Sequence, residues 1–366
     1  MTTGFFWDER CFWHGGGNYA GMLPVGGLVQ PMATGGLPEN PETKRRLKNL
    51  IAVTGLEADL VMTGAPAATR EDLLRVHPAT YLDDFKALSD ATGGELGRRT
   101  PFGPGGYEVA AQSAGLALEA LRAVLRGEMR NAYALSRPPG HHALPDFPNG
   151  FCLLANIAIA IRAVQAEGMA RRVAVLDWDV HHGNGTEAIF YDDAEVLTIS
   201  LHQDRNYPMD TGAFADRGRG AGEGFNLNIP LPPGTGHDGY LAAMDRLAVP
   251  AIRAFAPDVI VVACGYDAAA NDPLGRMLAT ARTFREMTER VMALANDLCD
   301  GRLLLVHEGG YSEAYVPFCG HAVLEALSGS ARTAPDPFAE VFAARQPDAR
   351  FAAFLDGWLK DMEAAL

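Results

Sequence analysis

The feature that most constrains the fold is the alternation of short apolar runs with amphipathic segments. Five runs have the length and composition of β-strands, at 131–136, 172–179, 196–202, 257–267 and 302–311. Four of them are nearly continuous apolar runs, which is typical of strands that are covered on both faces. Between them, apolar residues at helical spacing predict helices at 107–127, 152–168, 239–256 and 281–299. This alternation predicts an α/β protein with a mostly parallel central sheet flanked by helices on both faces.

The 366 residues, 48% of them hydrophobic, can bury one large core or two modest ones. The only linker-like stretch, 328–338, precedes a helical tail. We therefore predict a single domain over 1–366, with its core at about 20–330 and a C-terminal helical appendage at about 335–366. Two Gly/Pro-rich segments, 13–41 and 202–225, predict long loops. Loops of this length in a compact domain often carry function.

Composition disfavours several classes of partner. The formal net charge is −14, and no basic block is longer than Lys44–Arg46, so nucleic-acid and anionic-membrane partners are not expected. The N-terminal segment lacks the pattern of a secretory signal, and no stretch has the length of a membrane span, which predicts a cytoplasmic protein. The five cysteines are widely spaced and form no CxxC pair, which argues against a disulfide framework and predicts that most of them are buried, reduced core residues.

Polar residues follow every predicted strand directly. In an open parallel sheet, ligands bind beyond the carboxyl ends of the strands, so these loops should converge on one site. Six of the ten histidines lie at these ends: His141, His142, His181, His182, His202 and His307. We interpret His202 and His307 as hydrogen-bonded structural residues.

The stretch VAVLDWDVHHGNG (173–185) indicates a metal site. Asp179 and His181 are two residues apart, so in an extended segment their side chains share one face, with Asp177 one step earlier on that face. Asp267, which follows a different strand, is the natural third ligand. Two carboxylates and one imidazole leave an open coordination position on Zn²⁺, although this hard donor set also suits Fe²⁺. His182 falls on the opposite face, and we interpret it as a packed support.

Other strand ends supply groups for proton transfer and for oxyanion stabilisation. His141 and His142 lie on a loop stiffened by two prolines, where an imidazole beside a metal site can act as a general base. Tyr311 follows two glycines and can direct its hydroxyl at a developing oxyanion. Three other motifs are excluded. HEGGY lacks the HExxH spacing of a zincin metalloprotease, and HGGG, which resembles an esterase oxyanion loop, is accompanied by no GxSxG nucleophile elbow. The glycines at 14–21 follow no predicted strand, as those of a dinucleotide-binding motif would.

The motifs RPPGHH, GFC, VAVLDWDVHHGNGT, TISLHQ, GYDAAANDPL and LVHEGGY occur in this order. Together they resemble the zinc-dependent histone deacetylase family, and within it the class II branch and its bacterial histone deacetylase-like amidohydrolases. The resemblance covers roughly residues 20–330. It implies the arginase/deacetylase fold and hydrolysis of an N-acyl amide, usually N-acetyl-lysine, to acetate and a free amine.

The resemblance also implies roles for individual residues. Metal ligands would be Asp179, His181 and Asp267, and Tyr311 would polarise the substrate carbonyl. His142 would be the general base and later the general acid, beside His141 as its electrostatic neighbour. Asp177 would orient His141, and Asn184 stands where class I enzymes have an aspartate that orients the other histidine. The asparagine should leave His142 less stabilised as a cation.

Further implied sites are a substrate channel and structural K⁺. The channel would be lined by Gly150, Phe151, Tyr207, Gly309 and Gly310, with Tyr207 in place of a more usual phenylalanine. One K⁺ site would use Asp177, Asp179, His181, Ser200 and Leu201. A second would use Phe190, Asp193, Val196 and Phe225.

Three alternatives stay open beside an acetyl-lysine deacetylase. Relatives include acetylpolyamine amidohydrolases, and low-activity acyl-lysine-binding proteins in which histidine replaces the tyrosine. The presence of Tyr311 favours an active enzyme. A ureohydrolase of the same fold would need ligands for two Mn²⁺ ions, and the run Ala268–Ala270 after Asp267 favours one metal. The long N-terminal loop could meet a second subunit in a homo-oligomer.

Overall fold

A computed structural model describes residues 2–15, 19–24, 28–30 and 36–366. Its centre is an eight-stranded sheet. We number the strands of this sheet β1 (Thr3–Phe6), β2 (Leu60–Thr63), β3 (Asn131–Ala134), β4 (Val173–Asp177), β5 (Val196–Gln203), β6 (Asn226–Leu231), β7 (Val259–Cys264) and β8 (Leu303–His307). Two small antiparallel ladders lie outside it, Tyr19–Ala20 with Leu23–Pro24 and Gly94–Glu95 with Pro101–Phe102.

The spatial order of the strands is β6-β5-β4-β7-β8-β3-β1-β2, and every neighbouring pair is parallel. The carboxyl ends of all eight strands therefore lie at the same edge. The four strands β4, β7, β8 and β3 are consecutive at the centre, so the loops that follow them are neighbours in space although they are far apart in sequence.

Helices cover both faces of the sheet. Alternate residues of β4 enter two different apolar clusters: Leu176 packs with one cluster and Val175 with the other. This two-sided burial explains the nearly continuous apolar strands. The α-helices of the described residues are α1 (Glu42–Thr54), α2 (Arg70–Leu74), α3 (Ala79–Ala91), α4 (Gly106–Leu125), α5 (Asn156–Ala166), α6 (Asn184–Phe190), α7 (His237–Ala243), α8 (Val249–Phe255), α9 (Ala281–Leu298), α10 (Val316–Ser328), α11 (Ala339–Ala343) and α12 (Ala349–Ala364).

All five predicted strands are present, but four of them end earlier than predicted. The strands predicted at 131–136, 172–179, 257–267 and 302–311 stop at Ala134, Asp177, Cys264 and His307, because the residues beyond these points belong to the loops that follow. The sheet also contains three strands that the sequence pattern did not predict. Two of them, β1 and β2, have four residues each, and β6 mixes asparagines and a proline with its apolar residues, so none gives a clear apolar run.

One predicted helix is divided. The segment predicted as a helix at 239–256 consists of α7, a π-helical turn at Met244–Ala248, and α8. Pro250 explains the change, since proline donates no hydrogen bond and is accommodated in the first turn of α8. The helix predicted at 152–168 begins only at Asn156, and α1 and α10 were not predicted.

The C-terminal segment packs against the same core as the sheet. Phe342, Leu355 and Leu359 are buried in the apolar cluster that contains Leu176, and the indole of Trp358 donates a hydrogen bond to the Pro230 carbonyl at 2.9 Å. All five cysteines are free and buried, as predicted. Among the described helices, none is both long enough and apolar enough to cross a bilayer.

Candidate active site

The loop after β4 brings Asp179 and His181 together by a route that differs from the predicted extended segment. The Asp177 carboxylate accepts a hydrogen bond from the Asp179 N–H at 3.0 Å, and the Asp179 carboxylate accepts one from the His181 N–H at 2.9 Å. Such bonds from aspartate to the backbone two residues later fold the chain into tight turns. The residues that were predicted to share a strand face thus meet through turns.

Asp179, His181 and Asp267 form a buried group whose possible ligand atoms all lie within 4.8 Å of one another. The Nδ1 atom of His181 is 3.1 Å from Asp179 Oδ1 and 3.1 Å from Asp267 Oδ2. Burial opposes a charge on His181, but the Asp267 and Asp179 carboxylates outweigh it and raise its pKa to about 10. The three side chains therefore surround a position that strongly favours a cation, and their donor atoms suit a divalent metal ion.

Glycines make room for the two carboxylates of this group. A Cβ atom at Gly265 would overlap the Asp179 carboxylate, and one at Gly309 would overlap the Asp267 carboxylate. The Gly309 N–H also donates to Asp179 Oδ2 at 2.8 Å. Gly309 and Gly310 were predicted as channel residues, but they do not line the cavity described below. Gly309 instead holds a candidate metal ligand, and Gly310, at φ +120°, packs against Tyr266.

The two adjacent histidines have different partners and opposite tendencies to hold a proton. Asp177 Oδ2 lies 2.9 Å from His141 Nδ1, whereas Asn184 Oδ1 accepts from His142 Nδ1 at 2.8 Å. Burial opposes a charge on His141, but Asp179 and Asp177 raise its pKa well above the ordinary value. Burial, together with the charges of His141 and His181, lowers the pKa of His142 far below its ordinary value. His142 is therefore neutral, with Nε2 free to accept a proton.

Tyr311 lines the same cavity as His181, one of the candidate metal ligands. Its ring centre is 6.4 Å from that of His181, and its backbone N–H donates to Asp272 Oδ2 at 2.7 Å. Burial, reinforced by the Asp267 and Asp179 carboxylates, raises the pKa of Tyr311 well above its ordinary value. Its hydroxyl therefore stays protonated and can donate a hydrogen bond.

A narrow cavity of about 130 Å³ leads to these groups. Its walls include three of the five predicted channel residues, together with Arg99 and others that the sequence did not single out; the lining is Met22, Arg99, His142, Gly150, Phe151, His181, Asn206, Tyr207, Leu274 and Tyr311. Phe151 holds a left-handed backbone at φ +69°, and the Tyr207 hydroxyl donates to Asn149. Non-glycine residues in this conformation are uncommon and often occur at functional sites.

The other strand-end histidines lie in hydrogen-bonded positions beside this site. His182 contacts Thr211 through Nδ1 at 2.9 Å and Glu187 through Nε2 at 3.2 Å, and neither partner is a candidate metal ligand. His202 Nε2 donates to the Gly212 carbonyl at 3.0 Å, and His307 is hydrogen-bonded to a buried tyrosine. These contacts give each imidazole a hydrogen-bond partner, and the interpretation of the three histidines as structural residues stays a prediction.

The two predicted K⁺ sets lie in different surroundings. In the first set, Asp177 and Ser200 are register partners on adjacent strands, and Leu201 follows Ser200. Asp179 and His181 follow Asp177 through the two turns described above. In the second set, the Phe190 and Phe225 carbonyls already accept backbone hydrogen bonds. Arg162 also pairs with the Asp193 carboxylate at 2.6 Å. Both K⁺ sites stay predictions, and the second has weaker ligands to offer.

The sequence did not single out several residues that position the site. Glu308 Oε2 accepts the backbone N–H groups of Gly140 at 2.7 Å and His141 at 3.1 Å, which fixes the histidine loop. Arg137 pairs with buried Glu39 at 2.9 Å. Glu308 and Arg137 both lie within the motifs quoted above, but their partners come from distant segments. No local pattern could have revealed those pairings.

The chain belongs to the histone deacetylase family: the family model of the histone deacetylase domain matches residues 37–327. It is 57% identical over 362 residues to a histone deacetylase-like amidohydrolase of Pseudomonas aeruginosa, covering 99% of this chain and 95% of that protein. It is 41% identical to a probable deacetylase of Archaeoglobus fulgidus, covering 80% of this chain and 82% of that protein.

A solved structure described as the HDA15 HD domain matches with a TM-score of 0.79 and 33% identity, covering 89% of this chain and 91% of that one. The parallel sheet and its helices thus form the arginase/deacetylase fold, as predicted. Membership of this family supports a hydrolase activity of the deacetylase kind on an acylated substrate.

Proposed function

We propose that the chain is a zinc-dependent deacetylase of linear amides, with Nε-acetyl-lysine side chains or related acylated amines as its substrate class. The observation that carries the proposal is the convergence of three buried metal-type ligands, a neutral imidazole and a protonated phenol around one narrow cavity. Hydrolysis of an amide needs these three functions within reach of one carbonyl group. The products would be acetate and a free amine.

Asp179, His181 and Asp267 would hold the metal. A divalent ion at this position supplies a Lewis acid that polarises the substrate carbonyl and activates water. Zn²⁺ is our first candidate and Fe²⁺ the second, because the two-carboxylate set is harder than most zinc sites. The glycines at 265 and 309 let both carboxylates approach the ion position.

The chain's own side chains would perform the remaining steps. Phe151 and Tyr207 would sheathe the alkyl chain and exclude water from it, and the Tyr311 hydroxyl would donate to the acyl oxygen as negative charge develops there. His142, which is neutral, would take the proton of the attacking water through Nε2 and pass it to the departing amine. His141, held as a cation by Asp177, would stabilise the negative charge of the transition state.

The test is acetate release from an Nε-acetyl-lysine peptide by the purified protein, as the metal-free form and after loading with Zn²⁺ or Fe²⁺. We expect turnover only with metal. We also expect Asp267→Ala to lose both bound metal and activity; an unchanged metal stoichiometry would remove Asp267 from the ligand set. A metal-loaded protein that binds the peptide without cleaving it would contradict the proposal and favour an acyl-lysine-binding function.

Three further sequence predictions belong with this proposal. They are structural K⁺ at the two sets of residues named above, a cytoplasmic location, and assembly into a homo-oligomer through the N-terminal loop. Much of that loop lies outside the described residues. Metal analysis after dialysis against Na⁺ or K⁺ buffers, and sedimentation of the purified chain, would test the first and the last.

A further inference from the structure

The cavity mouth carries a positive charge that the sequence analysis did not single out. Among the described residues that line the cavity, Arg99 is the only one besides the histidines and tyrosines with an ionisable side chain. The part of the cavity wall formed by described residues contains no carboxylate, although the whole chain has a net charge of −14. The electrostatic character of the mouth is thus opposite to that of the protein.

The position of Arg99 is fixed from two sides. Its backbone has a left-handed φ of +61°, and its carbonyl accepts the Phe151 N–H at 3.0 Å, which ties it to the channel wall. Its guanidinium lies over the Tyr207 ring, 5.3 Å from the ring centre, in a cation–π arrangement. Strained backbone that the surrounding structure maintains is a common mark of a functional position.

The Arg99 charge is available to a ligand. In the described part of the chain Arg99 forms no ion pair, and none of the residues outside that part is acidic. Glu95, a carboxylate close by in sequence, directs its oxygens to the Tyr19 hydroxyl at 2.8 Å and the Thr100 N–H at 2.9 Å, and it keeps its charge but forms no ion pair with Arg99. Arginine offers a planar fork of donors that matches a carboxylate.

The distances suit a substrate whose carboxylate is one lysine side chain away from the scissile amide. The Tyr207 ring lies 5.1 Å from the His142 ring and 5.3 Å from the Arg99 guanidinium, and all three residues line the same cavity. A four-methylene chain that runs along Tyr207 with its amide at His142 would therefore have its far end within reach of Arg99.

We propose that Arg99 is a specificity-determining residue that selects acylated amines bearing a carboxylate at the channel mouth and disfavours cationic ones such as acetylpolyamines. The inference rests on the proposed function of the same site. The carboxylate can be the α-carboxylate of an acyl-lysine or the side chain of an acidic residue beside it in a peptide. Arg99 acts through charge, so its contribution should appear in KM and weaken as ionic strength rises.

The test uses three substrates with the same acetamide and alkyl chain: Nα-benzyloxycarbonyl-Nε-acetyl-lysine, its α-amide, and N-acetylcadaverine, which carries an ammonium group. For the zinc-loaded protein we expect kcat/KM to decrease in that order, by about two- to fivefold between acid and amide at low salt. Blocked peptides with aspartate or asparagine after acetyl-lysine distinguish the two sources of the carboxylate.

Variants at Arg99 keep the test specific. Arg99→Lys should preserve the order of kcat/KM among the three substrates. Arg99→Gln should abolish the preference for the acid over the amide, and Arg99→Glu should invert that preference. Each replacement is another L residue, so the backbone strain is matched. Arg350→Glu, at an exposed arginine on α12, is the control for net charge and should leave the order unchanged.

Three results would overturn the inference, and they distinguish its failure from the failure of the proposed function. Turnover with the same order of substrates in Arg99→Glu, or with N-acetylcadaverine preferred by the unmodified protein, would refute the role of Arg99 and leave the deacetylase proposal intact. No turnover of any substrate by the metal-loaded protein would refute both. Calorimetric binding of the three substrates to the Tyr311→Phe variant provides a readout that does not depend on turnover, and it should show the same order.

Discussion

Replacement of Gly150 by alanine should disable the site by displacing the catalytic imidazole. Gly150 has a φ of +51°, and an added Cβ would lie 2.9 Å from His142 Cγ, 2.9 Å from Tyr207 Cε1, and closer still to His142 Cδ2. An L residue in this conformation costs about 1–2 kcal/mol. The overlap with His142 and Tyr207 adds about 1–3 kcal/mol, because neither ring can move freely in a packed wall.

The matched control is Gly168→Ala. Gly168 has a φ of +70° just beyond α5, but a Cβ there would meet no atom within 4 Å. The control therefore reports the cost of the backbone conformation alone. Comparing the free energies of unfolding of the two variants in denaturant isolates the overlap term, which we expect to be about 1–3 kcal/mol.

The effect on rate should be larger than the effect on stability. A displacement of His142 by about 1 Å is expected to lower kcat/KM by roughly 100-fold, since misplacement of a reacting group on that scale carries such a cost. The assay is acetate release from an acetyl-lysine peptide by the zinc-loaded variants, with metal content measured in parallel. If Gly150→Ala retained kcat/KM within about twofold of Gly168→Ala, the packing of Gly150 against His142 would be refuted as a determinant of activity.

Three further predictions concern the oxyanion donor, the general base and the buried ion pair. Tyr311→Phe should lower kcat/KM by about 10²–10³-fold with zinc stoichiometry unchanged; near-normal turnover would exclude the oxyanion role. Asn184→Asp places a carboxylate beside His142 and raises its pKa, so the acidic limb of the profile of kcat/KM against pH should move to higher pH. An unmoved limb would mean that His142 is not the base. Burial opposes charge on Glu39, but Arg137 and a neighbouring lysine lower its pKa to about 2 from an ordinary 4.5. The stability that Glu39 contributes is therefore fully present above about pH 4.5 and is lost as the pH falls towards 2. Glu39→Gln should lower the free energy of unfolding by about 3–5 kcal/mol at pH 7, and by much less at pH 3, in denaturant titrations; an equal loss at both pH values would contradict the ion-pair explanation.

The fold class could be predicted because long apolar strands carry a strong local signal. Strands such as β4 and β7 are buried on both faces, so almost every residue in them is apolar. Short or mixed strands such as β1 and β6 lack that signal, and their place in the sheet depends on neighbours that a local pattern does not contain. The same limit explains why α10, which follows the glycine-rich loop after β8, was not predicted.

The residues that carry the proposed chemistry were recognisable because their types are costly to place at the ends of core strands without a function. The structure brings Asp179, His181, Asp267, His142 and Tyr311 together at the carboxyl edge of the sheet, where their loops were expected to meet. Their roles in catalysis stay predictions until the variants are measured. Gly309 makes a contact that the resemblance did not imply, since its N–H donates a hydrogen bond to the Asp179 carboxylate.

Sequence alone thus determined the order along the chain of the five clearly apolar strands and the chemical groups that follow each of them. Only the tertiary structure decided which of these groups touch, because the strand order in space is not the order in the chain. Three contacts join segments that are distant in sequence. Asp272 accepts a hydrogen bond from the Tyr311 backbone, Glu308 accepts one from the His141 backbone, and the Arg99 guanidinium lies over the Tyr207 ring. Hydrogen bonds and charge contacts of this kind depend on three-dimensional position, so no local pattern of residues encodes them.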